Sequence, residues 1–537
     1  MMNEESLSGW EKTTLGNIAD YINGRAFKPT EWQSTGIPII RIQNLNKPTA
    51  SYNYYQGELE EKYKVKNGDL LYSWSASLDS YIWSEEDAYL NQHIFNVKPY
   101  GGIRKKFIYY LLKQISSEIL TKTHGMGMIH ITKGNFEKIE VLIPPLNEQD
   151  RIIDKIEVLY SEVDTGIANL TLAKRQLEQY RQSLLKHAFE GKLTAEWRSD
   201  YEKIQGKPLP TADGLLEQVQ NARQAYYDQQ IADWEQSVEA WEEKGKEGSK
   251  PRKPSALKKL ESIADLNEIN LPKLPSSWLW ERLGLMTLSV EYGTSTKSEK
   301  QGLVPVLRMG NMQNGIIDWD DLVFTSDTDE IEKYALKKGD VLFNRTNSPE
   351  LVGKTSIILS DTKAIFAGYL IRVNQLDCIV YSKYLNYFLG SHIAKQYGNF
   401  VKTDGVNQSN INGQKLMNYP FPYCSLDEQV LIVAELDKKI GTADKFKDDI
   451  ESAIKKLANL KTSILHKAFQ GKLVPQDPND PPASELLAQI KAEREAKALA
   501  EQQAKQAKAK SKSKTKSATT AKKPKKPKKD EQITLPL

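Results

Sequence analysis

The sequence lacks the features that mark secreted, membrane-spanning or zinc-dependent proteins. Its 537 residues include only two cysteines, Cys378 and Cys424, and six scattered histidines. These residues could form one disulfide at most, and their spacing does not match a zinc site. No apolar run approaches the roughly 18 residues that a membrane helix requires, and the N terminus carries no hydrophobic signal segment. We therefore expect a cytoplasmic chain with no membrane span and no bound metal.

Short strings that resemble catalytic motifs fail on their own spacing. Residues 352–356 resemble the end of a phosphate-binding loop, but Ser348 stands where that motif needs glycine. Residues 479–483 resemble the Asp-Pro-Pro-Tyr type motif of amino-group methyltransferases, but Ala483 replaces the aromatic residue that stacks on a flipped base. No Ser, His and Asp set and no nucleotide-binding loop remains. The sequence therefore predicts a non-catalytic binding protein that holds no cofactor itself.

Positive charge is concentrated near the C terminus. The formal net charge is +4, but residues 491–529 contain 15 lysines and arginines against three glutamates, so the remainder of the chain is net negative. Any nucleic-acid surface in the body must therefore be a local patch. We expect residues 501–537 to be disordered because they are rich in Lys, Ala and Ser. Such a tail either attracts phosphates without sequence preference or only improves solubility.

One long stretch occurs twice, 280 residues apart and without gaps. Residues 146–149 match 426–429, and residues 183–193 match 463–473. Between these ends, apolar residues recur at heptad spacing, which predicts two long helices that pair as a coiled coil. Asn147 and Asp427 stand at the expected N-caps, and Gly191 and Gly471 at the expected helix ends. The main predicted seam positions are Ile152, Ile156, Leu159, Val163, Leu170, Leu177 and Leu184 in the first helix and Ile432, Leu436, Phe446, Ile450, Leu457 and Ile464 in the second.

The same order of landmarks precedes each long helix. Residues 10–16, 37–44 and 67–72 resemble 278–284, 304–311 and 338–343. Both regions alternate short β-rich runs with turn signals, which predicts two tandem pseudo-repeated globular domains of the α+β class. The predicted segments are the first globular domain (1–145), the first long helix (146–193), a helical arm and linker (194–275), the second globular domain (276–425), the second long helix (426–473), a C-terminal helix (474–500) and the lysine-rich tail (501–537).

The loops of the two globular copies differ although their framework is shared. This contrast is typical of a protein that reads two different short features at a fixed separation, although an old duplication without functional division remains open. Arg, Gln and Asn side chains can make bidentate contacts with base edges, whereas the alternative is that these positions are ordinary polar loops. The candidate DNA contacts are Arg41, Gln43, Asn44, Ser73, Trp74, His124 and Lys133 in the first copy and Arg308, Asn311, Asn344, Arg345, Asn347, Asn407, Gln408 and Asn410 in the second.

Taken together, these motifs resemble the specificity (S) subunit of a type I restriction-modification system. The resemblance covers the chain up to about residue 498. It rests on Pro-Pro-Leu-x-Glu-Gln at 144–149 and its echo at 426–429, on the Leu-x-x-Ala-Phe-x-Gly-Lys-Leu strings that end at 193 and 473, on Leu-Thr-Ala-Glu-Trp-Arg at 193–198, and on Leu-Pro-x-x-Trp-x-Trp-x-x-Leu-Gly at 274–284. The second helix departs from the pattern, because Tyr-Cys-Ser at 423–425 replaces the prolines.

The resemblance implies a division of labour within a larger complex. Each globular copy would be a target-recognition domain that reads one half of a bipartite, asymmetric site in double-stranded DNA. The two helices would pair antiparallel, fix the half-site spacing and dock two modification (M) subunits, which carry S-adenosylmethionine and methylate adenine N6. Restriction (R) subunits would add cleavage driven by ATP and Mg²⁺. Two other classes stay open, namely a self-contained restriction or methyltransferase enzyme and a coiled-coil adaptor that binds only proteins.

Overall fold

The computed structural model describes residues 7–47, 49–122, 131–257, 263 and 270–518. The chain divides into a first unit, Met1–Asn169 with Ser452–Leu537, and a second unit, Leu170–Glu451. Each unit combines one globular domain with portions of two long helices, so the predicted α+β class with two tandem domains is confirmed. The long helices are α5 (Leu146–Phe189) and α12 (Leu426–Phe469).

The first globular domain is built on two four-stranded sheets. Their strand orders are β2-β9-β6-β7 and β4-β3-β8-β5, and a small β1-β10 pair closes the domain. The elements are β1 (Glu11–Thr14), α1 (Leu15–Ile18), β2 (Ala19–Asn23), β3 (Ile37–Ile40), α2 (Ile42–Asn46), β4 (Asn53–Tyr55), β5 (Lys64–Val65), β6 (Leu70–Ser73), β7 (Asp79–Ile82), β8 (Ala88–Leu90), β9 (Ile94–Pro99), α3 (Lys105–Lys122), α4 (Lys133–Glu137) and β10 (Glu140–Ile143).

The core of the first unit joins this domain to the long helices. Strand β6 is buried along its whole length because it lies between β9 and β7 and is covered by α3. The ring of Tyr72 on β6 stacks on Phe136, with centroids 4.8 Å apart. Ile152 and Ile156 of α5 belong to the same apolar cluster, as does Ile464 of α12. The domain and both helices therefore share one apolar core.

The second globular domain repeats this plan with a larger sheet. Its main sheet has the order β12-β21-β17-β19-β15-β14, beside three-stranded β16-β13-β20 and β18-β23-β22 sheets and a β11-β24 pair. The elements are β11 (Leu279–Arg282), β12 (Thr287–Tyr292), β13 (Val304–Leu307), β14 (Met312–Gln313), β15 (Gly315–Ile317), β16 (Val323–Thr325), α8 (Thr328–Lys333), β17 (Val341–Asn344), β18 (Thr346–Asn347), β19 (Thr355–Ile357), β20 (Ile365–Phe366), β21 (Leu370–Gln375), α9 (Ser382–Leu389), α10 (His392–Val401), β22 (Thr403–Asp404), β23 (Ser409–Asn410), α11 (Gly413–Met417) and β24 (Pro420–Tyr423).

A helical arm lies between the first long helix and the second globular domain. It consists of α6 (Ala195–Gln205) and α7 (Ala212–Glu243). The chain then folds back along α7, because the indole nitrogens of Trp234 and Trp241 donate hydrogen bonds to the carbonyls of Pro251 (3.0 Å) and Gly248 (3.3 Å). The segment that the sequence presents as a loose linker is therefore tied to its own helix at these two points.

The ends of the long helices correct one detail of the sequence prediction. Both helices begin one residue before Asn147 and Asp427, so neither residue is the N-cap. Asn147 instead donates a hydrogen bond to Asp480 at 3.0 Å, and the backbone N–H of Glu428 donates to the Ser425 hydroxyl at 3.4 Å. At the other end, Gly191 and Gly471 adopt left-handed φ values of 71° and 67°, which confirms them as helix stops.

The C-terminal helix is longer than the sequence suggests. It is α13 (Ala483–Ala518), whereas we predicted a helix over 474–500 followed by a disordered tail from 501. The segment from 501 to 518 is therefore helical and the prediction is wrong there. The composition explains the error, because the alanine, lysine and glutamine that reduce apolar content are also strong helix formers. The remainder of the predicted tail lies outside the described residues.

Candidate nucleic-acid interface

In each unit, a buried glutamine at the start of the long helix forms hydrogen bonds to the globular domain. In the first unit, Gln149 accepts a hydrogen bond from the backbone N–H of Arg104 at the start of α3 and donates to the Pro144 carbonyl. In the second unit, Gln429 accepts from the N–H of Tyr381 at the start of α9 and donates to the carbonyls of Ile379 and Cys424. Both glutamines are fully buried. The repeated Glu-Gln motif is therefore a structural joint that orients a domain.

The glutamate before each glutamine is also buried, but its surroundings differ between the two units. Glu428 accepts hydrogen bonds from Trp278 at 2.8 Å and from the Thr194 hydroxyl at 2.6 Å, and it forms an ion pair with Arg198. In the first unit, burial raises the pKa of Glu148, and the neighbouring Trp10 and Arg151 offset that rise only in part. The Glu428 carboxylate is thus paired with an arginine, whereas burial raises the pKa of the Glu148 carboxyl.

Within each unit the two long helices run antiparallel. In the first unit, the Tyr160 hydroxyl donates to the Lys461 carbonyl at 3.2 Å, and Lys461 pairs with Asp164 at 2.5 Å. In the second, Lys174 pairs with Glu451 at 2.8 Å, and Arg181 pairs with Asp444 at 3.2 Å. These pairs flank a seam to which most of the predicted positions belong. Ile152, Ile156, Val163, Leu184, Ile432, Leu436 and Ile464 are buried, and Leu159, Leu170, Leu177, Ile450 and Leu457 are half-buried.

Phe446 is the one residue of the main predicted seam that lies outside it. Its side chain is 56% exposed, whereas the following residue, Lys447, is half-buried. The same one-residue shift places half-buried Ile454 in the seam. A straight helix has 3.6 residues per turn, so residues seven apart do not lie directly above one another. Along α12 the residue that faces the partner helix is therefore Lys447, one position after the predicted Phe446.

In the first domain, the candidate DNA contacts divide into exposed and buried groups. Gln43 is exposed, and Arg41 is half-buried with its guanidinium 4.9 Å from the ring of Trp32. Asn44, however, is buried and turned inward, because its Oδ1 accepts from the Arg41 backbone N–H at 3.1 Å and its amide donates to the Ala50 and Ser51 carbonyls. The structure therefore corrects Asn44 to a turn-forming residue, and Arg41 and Gln43 stay as candidates.

Three more candidates of the first domain are held by their own domain. The hydroxyl of fully buried Ser73 donates to the Ser77 carbonyl, and half-buried Trp74 stacks on Phe95 with centroids 5.7 Å apart. Lys133 donates one of its ammonium hydrogens to the Tyr21 carbonyl at 2.5 Å. Ser73 is thus enclosed by its own domain, whereas Trp74 and Lys133 keep part of their side chains exposed and stay predicted contacts. His124 lies outside the described residues.

The matching candidates of the second domain show the same pattern. Asn311 is buried, accepts from the Arg308 backbone N–H at 2.9 Å and donates to the carbonyls of Asp318 and Asp320. The guanidinium of Arg308 donates to the Asp321 carbonyl at 2.6 Å and pairs with its carboxylate at 3.1 Å. Asn311 is thus the structural counterpart of Asn44, and Arg308 is committed to the turn that Asn311 holds.

Two more candidates lie at the end of β17. Asn344 is fully buried, and its Oδ1 accepts from the Thr346 N–H at 3.3 Å. The Arg345 guanidinium lies 4.8 Å over the Tyr292 ring and donates to the Gly368 carbonyl at 3.4 Å. Asn344 is thus enclosed at the end of the strand, whereas Arg345 is half-buried and stays a predicted contact.

The remaining candidates come together on the β18-β23-β22 sheet. Asn347 pairs in register with Ser409, and Thr346 pairs with Asn410, so two segments that are distant in sequence form one surface. The amide of Asn410 donates to the Thr346 hydroxyl at 2.7 Å. Asn407 and Gln408 are exposed at the tip of the β22-β23 hairpin. This hairpin presents polar side chains outward from a fixed base, which is the geometry that base reading needs.

Sequence reasoning missed the residue at the same tip that is most exposed. Val406 is 100% exposed, and only its position between Gly405 and Asn407 in a predicted turn could have drawn attention to it.

Among the described residues, no cluster of three or more His, Cys, Asp or Glu side chains is placed to hold a metal ion. No helix in the described part of the chain is long and apolar enough to cross a membrane.

Two copies of one domain, each joined to a long helix by the same buried glutamine, define a binding protein with a duplicated recognition module. Residues 7–171 and 291–456 match the family model of the type I restriction modification DNA specificity domain. These matches cover more than half of the chain. The chain belongs to this family of type I restriction-modification specificity proteins.

Individual relatives agree with the family match. The specificity subunit of the type I restriction enzyme EcoBI of Escherichia coli is 25% identical over 502 residues, which cover 91% of this chain and 93% of the relative. The EcoKI specificity subunit of Escherichia coli strain K12 is 24% identical over 518 residues, with 91% and 96% covered. A chain from a solved structure of a type I R-M system superposes with a TM-score of 0.56 at 17% identity and covers 87% of this chain. That last likeness supports the fold.

Proposed function

We propose that this chain is the DNA-recognition subunit of a type I restriction-modification complex, in which each globular domain reads one half of a bipartite, asymmetric site in double-stranded DNA. The observation that carries the proposal is the duplicated module, in which buried Gln149 and Gln429 fix two domains with different loops to two helices. A rigid joint of this kind preserves register, whereas a flexible linker would not.

The long helices are proposed to dock two M subunits, with R subunits joining the same complex. Large apolar side chains that remain exposed on these helices support a protein-docking role, since the helix seam does not use them. They are Val158, Leu172 and Tyr180 on α5 and Leu426, Val430, Phe446 and Leu460 on α12. S-adenosylmethionine and ATP with Mg²⁺ would then belong to the partners, and the assembled complex would act in the cytoplasm.

A mobility-shift experiment tests the recognition role. The chain is purified with its M subunits and mixed with a labelled duplex that contains the bipartite site, together with excess unlabelled duplexes of scrambled sequence. The proposal predicts a shift that only the specific duplex competes away and that survives at moderate salt. Binding that is equal on all duplexes and disappears as salt is raised would contradict it.

A further inference from the structure

The β22-β23 hairpin of the second domain is fixed at its base and open at its tip. Thr403 pairs with Asn410 and Asp404 with Ser409, and the Gly405 N–H donates to the Gln408 carbonyl at 2.7 Å. This arrangement leaves Val406 and Asn407 as the two central residues of the turn. At the base, Lys415 donates to the Thr403 hydroxyl at 2.6 Å, and the Asn410 amide donates to the Thr346 hydroxyl. The hairpin is therefore held in place before any ligand arrives.

Folding gives no reason for valine at the tip of this hairpin. Val406 is 100% exposed, so it buries no surface, and its branched side chain is not one that tight turns favour. Its neighbours Asn407 and Gln408 are also exposed. The tip thus presents one apolar methyl-bearing side chain beside two side-chain amides.

An apolar side chain beside two amides is complementary to the major-groove edge of an A·T base pair. In the major groove, an A·T pair shows the C5-methyl of thymine together with the N7 acceptor and N6 amino donor of adenine. Asn and Gln bind that adenine edge with two hydrogen bonds, and apolar side chains contact the thymine methyl. The thymine methyl is presented only in the major groove, which also admits a two-stranded β-ribbon.

We infer that the tip of this hairpin enters the major groove and reads an A·T pair, with Val406 against the thymine methyl and an amide of Asn407 or Gln408 on adenine. The inference rests on the proposed DNA-recognition function and adds to it the base pair that this hairpin selects. The one carboxylate of the hairpin, that of Asp404, is paired, because it lies 3.6 Å from the Lys402 ammonium.

Deoxyuridine substitution isolates the methyl contact, because it removes only that group from a thymine. The site is first located by mapping N6-methyladenine in DNA from a host that carries the intact system. Each thymine in the half-site of the second domain is then replaced singly by deoxyuridine, and binding of the complex with its M subunits is measured. One position is expected to lose about three- to fivefold in affinity, as removal of one buried methyl group predicts.

A matched pair of variants tests whether Val406 makes that contact. In the Val406→Ala complex, affinity for the thymine duplex is expected to fall about fivefold, and the deoxyuridine substitution should have no further effect. Leu303→Ala is the control, because Leu303 is 71% exposed in the same domain but lies outside the hairpin. It should keep both the affinity and the deoxyuridine effect.

The possible failures of this experiment are separable. If no thymine position is sensitive, or if the sensitive position loses as much affinity with Val406→Ala as with the unaltered complex, the inference is overturned while specific binding stands. If the unaltered complex binds all duplexes equally, the proposed function itself fails. Sensitivity that disappears only in Val406→Ala supports the inference.

Discussion

Trp278 donates a hydrogen bond from its indole nitrogen to Oε2 of Glu428 at 2.8 Å, and both side chains are buried. The other carboxylate oxygen receives hydrogen bonds from Thr194 and Arg198. Trp10 and Glu148 occupy the matching positions in the first unit, but there the nearby arginine, Arg151, pairs with Asp480 at 2.7 Å. The duplication therefore preserved the two side chains and changed the charge balance around them.

Glu428→Gln should destabilise the second unit, because it leaves the guanidinium of Arg198 without its buried anion. Breaking such a pair typically costs about 3 kcal/mol in the free energy of unfolding. Urea unfolding at neutral pH measures the loss. The matched control is Glu148→Gln, which should cost less than Glu428→Gln because no ion pair to Glu148 is broken. Equal losses for the two variants would contradict the difference between the joints.

Glu148 should make the first unit less stable as pH rises. Burial raises the pKa of its carboxyl, so the folded state binds the proton more tightly than the unfolded state does. The resulting stabilisation is complete below the ordinary glutamate pKa and is lost as pH passes through the raised value. Unfolding of the unaltered protein and of Glu148→Gln, followed from pH 4 to pH 8, should show the variant gaining relative stability toward high pH. A constant difference across this range would contradict the assignment.

Leu177→Asp should disrupt helix pairing in the second unit. Leu177 is half-buried between the Lys174–Glu451 and Arg181–Asp444 pairs, and a charge at a seam position costs several kcal/mol. Thermal unfolding followed by circular dichroism measures the loss. Phe446→Asp is the control, because that side chain is 56% exposed and its replacement should leave the unfolding temperature nearly unchanged. If Phe446→Asp lowered the unfolding temperature more than Leu177→Asp does, Phe446 would be a seam residue, as the heptad pattern predicts.

Asn311→Ala should lower stability, whereas Gln43→Ala should lower DNA affinity without affecting stability. Asn311 satisfies one backbone donor and two backbone acceptors, and their loss should cost about 2 kcal/mol. Gln43 is exposed, so its removal leaves no buried group unpaired. Urea unfolding and the mobility-shift experiment, run on both variants, separate these effects. Loss of affinity with full stability in Asn311→Ala would return Asn311 to the candidate contacts.

Much of the fold could be predicted from the sequence because the two copies can be compared with each other. Gly191 and Gly471 occupy equivalent positions in the two copies and mark the helix ends. The repeated Glu-Gln motif marks where each domain meets its helix. The N-cap was misplaced because acidic and amide residues stabilise the first turn as well as the cap. The helices therefore begin two residues before the position that those N-caps imply.

The candidate interface was harder to predict, since asparagine serves two purposes. Asn44 and Asn311 follow strands with the chemistry of base-reading residues, yet each turns inward to close a backbone turn. Only burial distinguishes the two uses, and burial depends on residues that are distant in sequence. The pairing of Asn347 with Ser409 is of that kind, because the intervening sheet and helices decide it.

The central claim is that the two domains read separate halves of one site, and domain replacement tests it most directly. N6-methyladenine is mapped across the genome of a host that carries the intact system, and again after residues 10–145 are replaced by the corresponding domain of a relative with a different specificity. The account predicts a new methylated motif in which one half-site and the spacer length are unchanged and only the other half-site differs. A motif altered in both halves, or in neither, would contradict it.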